Sequence, residues 1–426
     1  SNINFEGSIY TQLKGFAQLP YLNASLILSS NKNVSLEIVE GDYTEIALQN
    51  PLLPSRGVIY RDQDPTTIPY EISSKSIRDE WYPKNLAQNT EPFIIKDFRG
   101  TTVYVYPFRY NAVTQTLRVY ENLIVRLVEN NTLVANPLKV ETTSVLREMD
   151  GIYSSLFINY GEAKDDLTIG EYGDILVICT DRDEDAIQPY IDWKMEKGFN
   201  VSKEVVATGT NVKTLIQDAY DANNNLLYVQ LVGDWADIKS DIISNNSAPT
   251  DPQLGCVIGS DDYPDITIGR LSASSPADVT VQVNKIINYE KNPEMGATWY
   301  KGALGIGSNE GAGNGDDGEM DKVHSQIIYD DKLDPFTFDD YYTSYQPGDN
   351  AQQVYDALEA GISVINYTGH GYAQGWSTSG FSNSHVATTT NGDQLPWVVS
   401  VACNNGDFHG GSDCFAEAWM KKEAGG

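Results

Sequence analysis

Residues 362–371 read ISVINYTGHG and residues 394–408 read QLPWVVSVACNNGDF, and the two segments are built alike. Each holds a six-residue apolar run rich in β-branched side chains, Ile362 to Tyr367 and Trp397 to Ala402. That is the pattern of a buried strand in a parallel sheet. Each run ends in a turn with an active side chain, Thr368-Gly369-His370-Gly371 and Cys403-Asn404-Asn405-Gly406. Open α/β sheets place their sites at the carboxyl ends of strands, so His370 and Cys403 are predicted as neighbours at such an edge.

A thiol needs a base beside it to form thiolate near neutral pH, and an imidazole has the matching pKa range. His370 and Cys403 supply that pair. Gly371 has no side chain to keep a substrate carbonyl away, so its N–H and that of Cys403 have the makings of an oxyanion hole. The residues alone also allow a packed structural cysteine beside a turn histidine, and the two readings stand level.

From Asp174 onward strand and helix patterns alternate. Ile175–Cys179 reads as a buried strand, and 186–197 as a helix with Ile187, Ile191 and Met195 on one face, stopped by Gly198. Helix 212–220, strand 226–232, a helix opened by Ser275-Pro276, strand 303–307 and helix 321–331 follow. Such alternation implies a parallel sheet with right-handed crossovers. Residues 1 to about 150 are instead rich in Tyr, Val, Ile and Thr. Thr102–Tyr106 and Thr116–Tyr120, separated by Asn111-Ala112-Val113-Thr114, suggest a hairpin in an all-β region of sandwich or barrel type. The stretch between Val145 and Asp174 shows no sustained period and reads as a linker.

Charge excludes one class of function. The 426 residues hold 29 Lys and Arg against 59 Asp and Glu, a formal net charge of -30, which repels nucleic acid and anionic lipid and attracts cations or basic peptides. No apolar run reaches the roughly 18 residues of a membrane-spanning helix. Cys179, Cys256, Cys403 and Cys414 are too few and scattered for a disulfide framework, and no CxxC spacing suggests zinc. Cys179 within a strand and Cys414 at a helix start read as packed residues. His385 and His409 read as loop histidines without a named partner.

Two acidic loops stand out. Val257-Ile258-Gly259 runs into Ser260-Asp261-Asp262-Tyr263-Pro264-Asp265, where alternating carboxylates and carbonyls suit a hard cation such as calcium. The glycine and closing glutamate of an EF-hand are missing, so a solvated acidic loop is the plainer reading. The second, SNEGAGNGDDGEMD over 308–321, joins a predicted strand to a helix. Its carboxylates argue against phosphate and for a cationic ligand, with a flexible surface loop as the plain alternative.

The segments ISVINYTGHG, Trp376, QLPWVVSVACNNGDF and CFAEAWM resemble the catalytic core of the gingipains, cysteine peptidases of family C25, and are most similar to the arginine-specific ones. The resemblance extends along nearly the whole chain. It implies a caspase-like α/β domain with a parallel-rich sheet over 165–426, incomplete at its carboxyl end. It also implies Cys403 as nucleophile, His370 as general base and acid, Glu310 orienting the histidine and Gly371 in the oxyanion hole. Asp321 matches the floor of the S1 pocket and Trp376 the cleft wall, so peptide or protein substrates with basic P1 are expected, Arg before Lys. A carboxylate pairs a guanidinium through two hydrogen bonds in a geometry that Lys cannot copy. The resemblance further implies calcium bound by Asp261, Asp265 and the carbonyls of Ile258 and Tyr263, with a second position at Asp234, Glu319 and His324.

Segments PSRGVIYRDQDPTTIPY and EPFIIKDFRGTTVYVYPFRYNAVTQTLRVY resemble the family's inhibitory prodomain, which implies a zymogen with a β-rich prodomain over 1–164. Arg61 falls where a prodomain arginine mimics substrate, and Lys164 falls at the processing position, where the relatives have Arg. The expected protein is therefore secreted or at the cell surface, latent, and partnered by its own prodomain. A transpeptidase with the same dyad and a catalytically silent adhesin with structural calcium loops are the alternatives.

Overall fold

The alternation of strands and helices after Asp174 is realised as two four-stranded parallel sheets. A computed structural model describes residues 9–60, 63, 65–139, 142–164, 167–243, 248–311 and 319–426. The chain divides into two compact units, one of Gly173–Val257 with Ile266–Gly426, the other of Ser1–Tyr172 with Ile258–Asp265.

In the first unit, strands β1 (Asp174–Thr180), β2 (Val201–Val206), β3 (Leu226–Val232) and β4 (Thr267–Leu271) form one sheet in the order β2-β1-β3-β4. Strands β5 (Gly302–Gly307), β6 (Asp340–Tyr345), β7 (Val364–Thr368) and β8 (Trp397–Val401) form the other in the order β6-β5-β7-β8. All neighbours in both are parallel. Helices α1 (Glu184–Glu196) and α2 (Lys213–Ala222) connect strands of the first sheet, α3 (Pro276–Lys291) leads from β4 to β5, α4 (Asp321–Ile328) and α5 (Ala351–Ala360) connect strands of the second, and α6 (Phe415–Lys421) follows β8. Ile187 and Ile191 of α1 pack with Val279 and Val283 of α3 in one apolar core. Each such fully buried side chain is worth about 1.5–3 kcal/mol. Met195, expected on that face, is exposed. Ser275 caps α3 by accepting from the Asp278 N–H, with Pro276 in the first turn.

Two readings of the parallel region change. Strand β8 is formed as expected but is not buried: it ends its sheet, and Trp397 and Val401 are more than half exposed. Helix α4 stops at Ile328 and passes into a single π turn over Tyr329–Leu333.

The second unit is strand-rich. One antiparallel sheet holds Ile9–Tyr10, Pro20–Ile27, Phe98–Val105 and Ala87–Asn89 in that order, with Phe93–Ile95 also paired to Phe98–Val105. The other holds Asn33–Ala47, Thr116–Asn130 and Phe108–Asn111. The expected hairpin is therefore drawn differently: Thr116 pairs with Asn111, while Val103 pairs with Ala24 in the other sheet. Alternation marks a strand but not its partner.

The presumed linker is also structured. Arg147–Leu156 and Tyr160–Lys164 are helices, and Ser144–Val145 pairs with Thr168–Ile169. Met149, Tyr153 and Phe157 recur every fourth residue and are all buried, with Tyr160 one turn on. Among the described residues no helix is long and apolar enough to cross a membrane.

Candidate active site

Strands β7 and β8 run in register, Thr368 beside Val401, and the Gly369 N–H still reaches the Val401 carbonyl at 3.3 Å. His370 and Cys403 each follow two residues beyond that pair, so the two turns leave the sheet side by side. Their packing explains Gly371. A Cβ there would lie 2.6 Å from the Cys403 carbonyl oxygen and 2.8 Å from the Ala402 Cβ. The glycine is required by the contact of the two turns, whatever a substrate requires. Asn404 follows Cys403 in the left-handed region, at φ 61°, a conformation Asn tolerates better than most residues.

His370 Nε2 stands 2.7 Å from Glu310 Oε2, the carboxylate named from sequence as its orienting group. Glu310 is held by its backbone. Its N–H donates to Ser308 Oγ, and its carbonyl accepts the Asp321 N–H at 3.0 Å. Ser308 Oγ in turn donates to Asp321 Oδ2 at 2.5 Å, which pins the end of β5 to the first residue of α4. Gly307 permits this, since a Cβ there would meet Lys322 Cα at 2.4 Å. Asp321 is thus a buried carboxylate at a helix N-terminus, where negative charge is favoured.

The cysteines separate by environment. Cys403 is exposed at its strand end, whereas Cys179 and Cys414 are buried. Burial pushes the Cys179 thiol up to about 11 and the Cys414 thiol up to about 12, so both stay protonated at neutral pH. Cys414 is the N-cap of α6, in a capping box with Glu417. No disulfide ties any of the four.

Trp376 is corrected. It is fully buried, not part of a cleft wall: its ring stacks on Tyr367 at 4.7 Å, because it closes the short hairpin Gly371–Tyr372/Gly375–Trp376 over the apolar core. Its Nε1–H donates to Ser400 Oγ, which donates to Asn405 Oδ1, each at 2.8 Å. The Asn405 amide donates to the carbonyls of Tyr372 and Gly375. Asn405 thereby ties the cysteine turn to the histidine hairpin. Sequence reading passed over it, although the Asn-Asn-Gly after Cys403 marks a turn whose side chains bond backbone. His385 is likewise no loop histidine: it occupies the first turn of Asn383–Val386, with Nδ1 2.9 Å from Ser382 Oγ. His409 pairs with Asp407 and sits edge-on to Trp235.

Among the described residues no three His, Cys, Asp or Glu side chains converge on a metal position. His324 Nδ1 pairs with Glu319 Oε1 at 2.8 Å beside the start of α4. Asp234, after β3, has its carboxyl raised by burial and by Glu417. Around Ile258 and Tyr263 the oxygens are hard donors of the type calcium takes. Yet Asp261 Oδ1 accepts the Tyr263 N–H, its Oδ2 accepts the Ile94 N–H, and the two Asp265 oxygens accept the N–H groups of Lys96 and Ile258. Lys164 ends its helix with Nζ 2.7 Å from Asp150 Oδ1. Arg61 lies outside the described residues.

Comparison with known proteins bears on this geometry. The model of the family described as "Peptidase family C25" matches residues 169–426, and the C25 propeptide model matches residues 2–166. Gingipain R2 of Porphyromonas gingivalis is 34% identical over 421 residues, 97% of this chain and 57% of that protein. Lys-gingipain of the same species is 24% identical over 393 residues, 88% of this chain and 22% of that protein. The chain thus spans little more than half of Gingipain R2. The crystal structure of the Arg-specific cysteine proteinase gingipain R matches with a TM-score of 0.57 at 35% identity, over 59% of this chain and 61% of that one. The complex of Porphyromonas gingivalis RgpB pro- and mature domains matches with the same TM-score and identity, over 59% and 62%.

Proposed function

Because this chain belongs to peptidase family C25, we propose that it is the latent precursor of a cysteine endopeptidase that cleaves after Arg, and after Lys second. The observation that carries the reading is the in-register pair Thr368 and Val401, from which His370 and Cys403 emerge as neighbours with Glu310 on the imidazole. The Cys403 thiol gives its proton to His370, and the thiolate adds to the scissile carbonyl carbon. The carbonyl electron pair moves onto oxygen, which the N–H groups of Gly371 and Cys403 hold. Collapse breaks the C–N bond as His370 returns the proton to the leaving amine, and water then hydrolyses the thioester. Asp321 is the counter-charge for a P1 guanidinium.

Residues 1–164 are the proposed inhibitory propeptide, with Arg61 as the substrate mimic and Lys164 as the processing position. Lys164 lies in a helix, so cleavage after it requires that turn to open. Calcium at Asp261, Asp265 and the Ile258 and Tyr263 carbonyls would cross-link the 258–265 loop electrostatically. Secretion or surface display fits the extreme acidity and belongs to the same proposal.

The test is Cys403→Ala in the processed protein with a fluorogenic arginyl peptide, with and without an amine acceptor. Hydrolysis should fall by about four orders of magnitude or more, with the melting curve unchanged. Substantial residual hydrolysis removes Cys403 as nucleophile, and products joined to the amine in place of hydrolysis make the protein a transpeptidase.

A further inference from the structure

Residues 258–265 belong by sequence to the region matched by the peptidase model, yet they fold as part of the unit formed by residues 1–172. The attachment is specific. Ile94 N–H donates to Asp261 Oδ2 at 2.9 Å, the Asn136 side-chain amide donates to the same oxygen at 2.5 Å, and Asn136 Oδ1 accepts the Ser260 N–H at 3.0 Å. Lys96 N–H donates to Asp265 Oδ1 at 2.9 Å, and Asp265 is buried to 2% exposure. Bonds from N–H to a carboxylate are charge-assisted and among the stronger hydrogen bonds. Apolar contact seals them: Ile94 is fully buried and the Phe93 ring packs on Tyr263 at 4.9 Å.

The backbone is shaped for this contact. Gly259 has φ +76°, and a Cβ on it would come 2.5 Å from Asn136 Oδ1 and 3.0 Å from Ile94 Cδ1. Lys96 and Asn136, both non-glycine, hold φ of 44° and 47°. Left-handed backbone costs such residues free energy and persists where surrounding contacts over-determine it. Three positive-φ residues meeting at one loop mark a built junction.

We infer that loop 258–265 is a handle by which residues 1–164 stay bound to the remainder of the chain after the connection near Lys164 is cut. The loop is covalently continuous with Val257 and Ile266, so its bonds to Ile94, Lys96 and Asn136 join the two fragments independently of that connection. The handle contains neither His370 nor Cys403. Retention of the propeptide and blockage of the dyad are then separable.

The test reads association, not hydrolysis, so its outcome is independent of the proposed chemistry. The full chain carrying Cys403→Ala and a specific protease site in place of 164–166 is cut, diluted in steps, and the fraction of fragment 1–164 still bound is measured by size. Asn136→Asp sets one carboxylate against another and should raise the apparent Kd at least tenfold. Adding Asp261→Asn to it restores an amide–carboxylate pair across the same gap and should recover most of the loss, which a general folding defect would not do. Equal Kd values for the parent and Asn136→Asp, or no recovery in the double variant, would overturn the handle.

Discussion

Two loops of this chain look alike in sequence, 258–265 and 308–321: each follows an apolar run and mixes Gly with Asp or Glu. Their carboxylates are used in opposite ways. In the first, the oxygens of Asp261 and Asp265 are engaged by main-chain N–H groups, two of them from Ile94 and Lys96 over 160 residues away in sequence. In the second, Glu310 takes an imidazole and Asp321 a hydroxyl, both from nearby elements of the same sheet edge. Acidic loops therefore carry no fixed meaning as cation sites. What decides is which donors the fold delivers to them, and only the second loop is delivered to a reactive side chain.

That contrast is easiest to break at Asp321. If it is the counter-charge for a P1 guanidinium, Asp321→Asn removes about 3 kcal/mol from arginyl substrates, on the order of a hundredfold in kcat/KM, and much less from substrates with an apolar P1. Equal losses on both would make Asp321 a structural clamp that holds Ser308 to the start of α4. Glu310→Gln should act more weakly. The pair with His370 is well exposed, so the loss should be on the order of tenfold or less. It should fall on arginyl and apolar substrates alike, because the histidine serves every substrate. A loss confined to arginyl substrates would move Glu310 into the specificity pocket. Neither substitution should alter retention of the cut 1–164 fragment.

Legibility in the sequence followed the range of the interaction. Strand β7 and the turn after it were readable because a β-branched run and a Gly-His-Gly turn are local signals, and the in-register pairing with β8 then carried the dyad reading. The helix Arg147–Leu156 was not, since Gly151, Ser154 and Ser155 dilute its pattern and only the spacing of Met149, Tyr153 and Phe157 betrays it. The resemblance implied a wall at Trp376, but nothing local tells whether an indole faces solvent or the core; the structure buries it against Tyr367. The engagement of Asp261 by Asn136 is out of reach for any local reading, because it joins residues 125 apart. At Gly371 the structure supplies a reason the sequence did not offer: the packing of two turns leaves no room for a Cβ.

Calcium provides the finest probe of the difference between the loops. The oxygens a cation would take from Asp261 and Asp265 are those that Ile94, Asn136 and Lys96 occupy in this form. A cation attracted to loop 258–265 therefore gains its full ligand set only once those donors have left. A ligand that binds one state alone shifts the balance toward that state by the factor 1 + [L]/Kd. For a weak extracellular-type site, with Kd near 10⁻³ M, about 1 mM calcium should weaken retention of the cut 1–164 fragment about twofold. Chelation should reverse the shift, and Asp261→Asn should remove it. The effect is small because the site is weak, but its sign is diagnostic. If calcium tightens retention instead, the cation and the N–H donors share the carboxylates. The 258–265 loop would then be a cation site in both forms, as its sequence first suggested.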